Sequence, residues 1–401
     1  MSRRKTDPSD DELHALLRQA ITRRGFIRRS ALGAGGLVLG NSLLAACGGK
    51  EGARAAGADS AVATTGTYAG KTLRVSNWPL YIDKQTVPDF EKATGAKVEY
   101  TEDINDNGEF FAKIDEPLKR NQSIDRDVVV LTDWMAGRLI KLGYVAPLDD
   151  AKFPNKANLV DNVKDVSFDP GRKYSVPWLS GMTGIGYNPK KTGGELTSIN
   201  DIFDPKFKGK VTMLTEMRDT LGLVMLGMGK DPTKATKADI QAAAAKIKKA
   251  RQSGQIRKFT GNDYAEDLAA GNIAIAFAWS GDIQGLAADN PDLKWIAPKE
   301  GAMLYSDNML IPKTSDRQDL AMAWINYVYD PKHSAQIVAG APYLSAAKGT
   351  GAELAKIAPD LASSPLVNPP DELRGRLHVF RALSDEEDTD YNRIFQDAIG
   401  A

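Results

Sequence analysis

Leu73-Arg74-Val75-Ser76-Asn77 reads as a strand, Val87 to Ala93 as a short helix closed by Gly95, and Lys97-Val98-Glu99-Tyr100 as the next strand. The succession repeats. Phe110 to Leu118 has helical spacing, Asp127 to Leu131 is an apolar run of strand length, and Trp134 to Leu142 is a helix stopped at Gly143. Such alternation predicts an α/β protein with a mainly parallel sheet flanked by helices on both faces. It resumes after Gly209 with Val211-Thr212-Met213-Leu214, an alanine-rich helix from Ile240 to Ala250 and a buried strand from Ile273 to Trp279. Leu310-Ile311-Pro312, a helix from Leu320 to Tyr329 and a last helix near Tyr391 to Ala398 follow. About 330 residues from Thr72 onward suffice for two lobes, each with its own core.

Upstream of Thr72 the chain carries export signals. Thr22-Arg23-Arg24-Gly25-Phe26-Ile27-Arg28 has the twin-arginine pattern, and a weakly apolar run from Ala31 to Ala46 ends in Leu44-Ala45-Ala46-Cys47-Gly48. Four glycines with Asn41 and Ser42 make that run too short and too polar for a stable span. Small residues before a cysteine are the substrate of lipoprotein processing, in which the thiol is lipidated and becomes the new N-terminus. Residues 1–46 are therefore expected to be a twin-arginine lipoprotein signal peptide, and 47–70 a flexible tether rich in Gly, Ala, Thr and Ser. As a random coil the tether would reach about 25 Å. The whole chain has 52 Lys/Arg and 52 Asp/Glu. Removing residues 1–46 takes eight Lys/Arg and four Asp/Glu, leaving 44 and 48 and a net charge of −4 over 355 residues. That mild acidity gives no field for nucleic acid. Cys47 is the only cysteine, so the expected mature chain has neither a disulfide nor thiol chemistry.

The chemistry missing from the sequence narrows the function. Of three histidines, His333 and His378 lack metal-ligand spacing and His14 falls in the signal. There is no G-x-S-x-G elbow, no P-loop and no dinucleotide fingerprint; Gly181-Met182-Thr183-Gly184-Ile185-Gly186 has the wrong order. Asp103, Asn105, Asn107 and Gly108 match the first half of a calcium loop, but the twelfth position is Ile114, so the stretch reads as a polar turn before a helix. No cofactor and no metal are expected. What stands out instead is aromatic residues beside acids: Asn77-Trp78-Pro79-Leu80-Tyr81, Thr132-Asp133-Trp134, Ala278-Trp279-Ser280-Gly281-Asp282 and Tyr305-Ser306-Asp307-Asn308. Three of the four close a predicted strand, where open parallel sheets hold ligands.

At these residues the chain resembles the spermidine/putrescine-binding proteins, the extracytoplasmic receptors of polyamine ABC importers. Trp295-Ile296-Ala297-Pro298-Lys299-Glu300-Gly301, with Tyr305-Ser306-Asp307 and Leu310-Ile311-Pro312, carries the resemblance most specifically. Tyr174 to Trp178, Thr183 to Asn188 and Leu214-Thr215-Glu216-Met217-Arg218-Asp219 extend it. It implies a two-lobed, periplasmic-binding-protein-like fold of type II, with a first lobe of 71–182 plus 306–344 and a second of 183–305 plus 345–401. The lobes would hinge at the crossovers near Gly181–Gly186, Tyr305 and Leu344. It also implies a binding site. Trp78 and Tyr81 would form one wall beside Thr132, Asp133 and Trp134. Glu216 and Asp219 would meet amines from the second lobe, Trp279 and Tyr305 would enclose the methylenes, and Asp307 would clamp an ammonium. Three departures matter. Pro79 replaces a threonine, Ala341 an aromatic residue for which Tyr343 would substitute, and Arg381 a polar amide. Arg381 would face the cleft with Asp133 neutralising it, bind a carboxylate, or point to solvent.

The expected protein is thus a monomeric, non-enzymatic receptor, lipid-anchored at Cys47 outside the membrane, that passes a polyamine to an ABC permease. The alternatives are a receptor of the same fold for another amine-bearing or zwitterionic solute, a receptor feeding a sensor kinase, or a secreted carboxylate-dependent hydrolase. Replacing Arg23 and Arg24 by lysine should block export, and Cys47→Ser should move the protein from membranes to soluble fractions. Cell fractionation with immunodetection reads both; retention of Cys47→Ser in membranes would refute the anchor.

Overall fold

The computed structural model describes residues 67–401; the twin-arginine motif, Cys47 and most of the tether lie outside them. The strands are β1 (Thr72–Asn77), β2 (Lys97–Glu102), β3 (Val128–Thr132), β4 (Ser175–Tyr187), β5 (Val211–Leu214), β6 (Ile256–Thr260), β7 (Ile275–Trp279), β8 (Lys294–Ile296), β9 (Ala302–Leu310), β10 (Leu344–Ser345) and β11 (Leu377–His378). The helices of one and a half turns or more are α1 (Thr86–Thr94), α2 (Asn107–Lys119), α3 (Asp133–Lys141), α4 (Met217–Gly227), α5 (Lys237–Gln252), α6 (Tyr264–Ala270), α7 (Ser280–Ala287), α8 (Gln318–Val328), α9 (Pro331–Gly340), α10 (Thr350–Ile357) and α11 (Asp385–Ile399).

The strands join in the order β2-β1-β3-β9-β4-β7-β5-β6. β1 is parallel to β2 and β3, and β5 is parallel to β6 and β7, as the alternation predicts. Between the two trios the pairing turns antiparallel. β9 is antiparallel to both β3 and β4, and β4 is antiparallel to β7. The expected crossovers near Gly181–Gly186 and Tyr305 lie within strands. They are the middles of two long paired strands that carry the chain from one trio to the other. β4 is buried along almost its entire length, so it shows no polar–apolar alternation, and its three glycines and Pro177 mask its strand character. Those glycines have a packing cause. A Cβ on Gly184 would lie 2.4 Å from the Ile296 carbonyl and 2.6 Å from the Trp295 ring.

Other differences are local. α11 begins at Asp385, six residues before Tyr391, because Ser384 and Glu387 form a capping box and four acids occupy the favourable first turn. Near Leu344, β10 pairs with β4, Ala347 bridges Leu159, and α10 packs on α9. Among the described residues no helix is long and apolar enough to cross a membrane.

Gly184→Ala should cost at least about 1–3 kcal/mol by overpacking β4. Gly351, with nothing within 4 Å of the position of an added Cβ, should tolerate alanine without loss. Thermal melting of the two variants checks the contrast; equal melting temperatures would mean that β8 yields freely.

Candidate functional site

The ends of β1, β3, β5 and β7 and the middle of β9 converge on one cavity of about 930 Å³. All twelve residues expected at the site line it: Trp78, Tyr81, Thr132, Asp133, Trp134, Glu216, Asp219, Trp279, Tyr305, Asp307, Tyr343 and Arg381. Just past β1, the Trp78 indole is fixed by donating to the Val130 carbonyl at 3.0 Å. Its ring meets Trp279, from the end of β7, edge to face at 5.9 Å. The ring centres of Trp279 and Tyr305 lie 6.3 Å apart and those of Tyr81 and Tyr343 4.6 Å apart, so two sets of packed aromatic rings line the cavity. Gly181 makes room for Tyr305: a Cβ there would fall 2.3 Å from the Tyr305 hydroxyl.

Three buried carboxylates and the half-buried Asp219 face these rings, and the side chains donating to them are all neutral. Asp307 accepts from the Tyr81 hydroxyl at 2.9 Å and the Thr132 hydroxyl at 2.8 Å. Asp219 accepts from the Trp279 indole at 3.0 Å. Glu216 Oε1 accepts from the backbone and side-chain nitrogens of Asn107, at 3.0 and 2.8 Å. Asp282 accepts from Tyr264 at 2.7 Å, Tyr343 at 2.6 Å and Asn262 at 3.1 Å. Asp282 is absent from the expected site, although it ends one of the aromatic–acid stretches; the signal was its place in the first turn of α7, directly after Trp279. Tyr343 lines the cavity, and Ala341 is wholly buried.

The cations of the cavity wall are each engaged elsewhere. Arg381 grips both oxygens of Glu387 at 2.6 and 3.0 Å and donates to the Ala235 carbonyl at 2.6 Å. Asp133 therefore does not neutralise it. Asp133 instead accepts from Asn308 at 2.7 Å, and Asn308 in turn accepts from Arg172 at 2.8 Å. Lys141 pairs with Asp385. Arg138 lies over Phe111 at 4.1 Å. Arg218, which the sequence reading passed over, bonds Asp388 at 2.7 Å and lies 4.2 Å over the Trp134 ring.

Residues 85–366 match the family of bacterial extracellular solute-binding proteins. The putrescine-binding periplasmic protein PotF of Escherichia coli is 31% identical over 347 residues, spanning 81% of this chain and 91% of its own. The putrescine-binding periplasmic protein SpuD of Pseudomonas aeruginosa is 30% identical over 333 residues, spanning 78% and 88%. A solved structure described as a putative spermidine/putrescine ABC transporter from Listeria monocytogenes superposes with a TM-score of 0.73 at 28% identity, covering 82% of this chain and 98% of its own. The chain belongs to the bacterial extracellular solute-binding proteins.

In a non-enzymatic solute-binding protein the acids serve as ligands rather than catalysts, and their titration matters for affinity. Burial pushes Asp307 up to about 7, opposed by its two hydroxyl donors and reinforced by Asp133 and Asp219. Burial also raises Asp219 and Asp282 to about 6. It raises Asp133 to about 6 against Asn308 and Arg172, and drives Glu216 well above the usual carboxylate range. A carboxyl with a raised folded pKa keeps its proton longer in the folded chain, so its contribution to stability falls as pH rises from its unfolded value toward 7. The slope is at most about 1.4 kcal/mol per pH unit. Ligand-free Asp307→Asn should therefore gain on the unaltered protein as the pH of a melting experiment goes from 4.5 to 7.5. Parallel melting curves across that range would show that Asp307 is already ionised at the lower pH.

Proposed function

We propose that this solute-binding protein captures a polyamine of the spermidine/putrescine class between two lobes and delivers it to the permease of an ABC importer. The observation that supports this most is the set of four carboxylates, buried Glu216, Asp282 and Asp307 and half-buried Asp219, bonded by neutral donors and facing aromatic rings. A polyamine is the chemical complement, an apolar chain with an ammonium every three or four carbons. Each ammonium loses several kcal/mol of hydration on burial and needs a carboxylate in return. A charge-assisted hydrogen bond contributes about 1.5–3 kcal/mol, and an aromatic face about 0.5–2 kcal/mol more while covering methylenes. A binding free energy of about −8 kcal/mol, micromolar affinity, follows from this inventory. Trp78, Tyr81, Trp134, Trp279, Tyr305 and Tyr343 would sheathe the methylenes, with Thr132 and Asp133 holding Asp307 and its neighbour Asn308 in place.

The two parallel trios would form the cores of the lobes, divided at 182/183 and 305/306. The last crossover would lie near Leu344, with residues 345–401 returning to the second lobe. The protein is extracytoplasmic, as its family is; tethering through a lipidated Cys47 after twin-arginine export is the finer reading of residues 1–70. One observation favours a second ligand class. Arg218 lies in the cavity wall over Trp134, where it would meet the carboxylate of a zwitterionic amine.

Calorimetric titration of protein unfolded and refolded to strip carried-over ligand separates these readings. Spermidine or putrescine should bind with micromolar or tighter affinity, at least tenfold more weakly in Asp307→Asn, and more tightly at pH 8 than at pH 5.5 because the acids must be ionised. Heat from arginine and none from polyamines would replace the polyamine with a zwitterion.

A further inference from the structure

The turn that resembles half a calcium loop binds across the molecule. Three consecutive residues at the start of α2, Asn107 being its first, each bond to the loops after β5 and β6. The Asn105 side-chain carbonyl accepts from the Asn262 backbone N–H at 3.0 Å. Asp106 divides its carboxylate: Oδ1 caps α2 through Gly108 and Glu109, and Oδ2 accepts from the Thr215 hydroxyl at 2.8 Å. Asn107, 1% exposed, donates twice to Glu216, and its Nδ2 also donates to the Thr132 hydroxyl at 2.8 Å. Thr132 donates in turn to Asp307. A hydrogen-bonded chain thus runs from Glu216 through Asn107 and Thr132 to Asp307, joining an acid beside α4 to an acid on β9. The contact is close as well as polar: a Cβ on Gly261 would lie 2.1 Å from the Asn105 backbone carbonyl. Asp103, the first position of the calcium pattern, is paired with Arg126 at 2.8 Å and faces away from this chain of bonds.

We propose that Asn107 is a positioning residue for the ligand site and that Asn105, Asp106 and Asn107 form a latch holding the two halves of the cavity together. The chemistry of Asn107 suits the role. As a donor from two nitrogens it occupies one oxygen of Glu216 and leaves the other for the solute, while its carbonyl accepts from the Thr132 backbone N–H at 3.2 Å and holds the hydroxyl that orients Asp307. Glu216 is then in register with Asp307 only while the latch is made. A solute bridging the two acids strengthens the latch, and the latch slows the solute's escape. A residue without the amide cannot reproduce this. Asn107→Asp keeps the shape but sets a carboxylate against Glu216, and Gly261→Ala pushes the two loops apart without touching any acid.

The test combines hydrogen exchange on the ligand-free full chain with stopped-flow release of spermidine, and its ligand arm rests on the polyamine reading above. Both variants should speed exchange at the Asn107 and Asn262 amides and spermidine release at least tenfold, with a fall in melting temperature no larger than that of Gly184→Ala and with the amides of β1 and β3 exchanging as before. The proposal is overturned if those amides exchange as in the unaltered protein, if exchange quickens while release does not, or if both variants melt far below it. Should the unaltered protein bind neither spermidine nor putrescine, the polyamine reading falls, and amide exchange in Gly261→Ala alone then upholds or overturns the latch.

Discussion

A carboxylate buried without a cation is the constraint around which this protein is arranged. Desolvating one ionised acid costs several kcal/mol, and hydrogen bonds from neutral groups offset only part of it. The cavity holds three such acids and the half-buried Asp219, and Asp307, Asp219 and Asp282 are held up near neutral pH by burial. Arg381 is engaged by Glu387 and Lys141 by Asp385, while Arg218, bonded to Asp388, relieves Asp219 only in part. The rest of the relief is left to a solute. An interior that is electrostatically incomplete has a built-in preference for cations, and the same incompleteness makes affinity depend on pH.

The scaffold that sustains this arrangement is the pair β4 and β9. Running antiparallel between two parallel trios, they place Tyr305 and Asp307 midway between the strand ends that deliver Trp78 and Thr132 on one side and Trp279 on the other. Because β4 packs against aromatic groups along its length, it is built with glycine at 181 and 184, where no side chain fits. Backbone rigidity at the crossing fixes Tyr305 and Asp307, and small, directional contacts such as those of Asn105 to Asn107 hold Glu216 in register with them.

Much of the fold was legible because local patterns agreed with it. The helix around Val87–Ala93, the strand at Val211–Leu214 and the alanine-rich helix around Ile240–Ala250 all follow from apolar spacing and stop signals that owe nothing to distant residues. β4 was illegible for the opposite reason. A strand buried on both faces and studded with glycine carries no period, and its existence depends on partners more than a hundred residues away. The site divides in the same way. Trp78, Trp279 and Asp307 announce themselves as aromatic groups and acids at strand ends. Asp282 needed the fold to show that Tyr264 and Tyr343 converge on it.

Arg381 shows most plainly where sequence reading stops. Its charge and approximate place in the cleft wall were readable, yet its effect depends on Glu387, six residues on, turning back to meet it at the start of α11. Asp133 likewise is an acid at the expected position, but the fold pairs it with Asn308 rather than with an arginine. The sequence by itself determined which elements form, which class of chemistry is absent and which aromatic and acidic residues are available, because these depend on short-range spacing and residue type. Only the tertiary structure decided which acids lack a cation and which loops bind across the cavity, because an electrostatic environment is the sum over neighbours that folding, not sequence order, brings together.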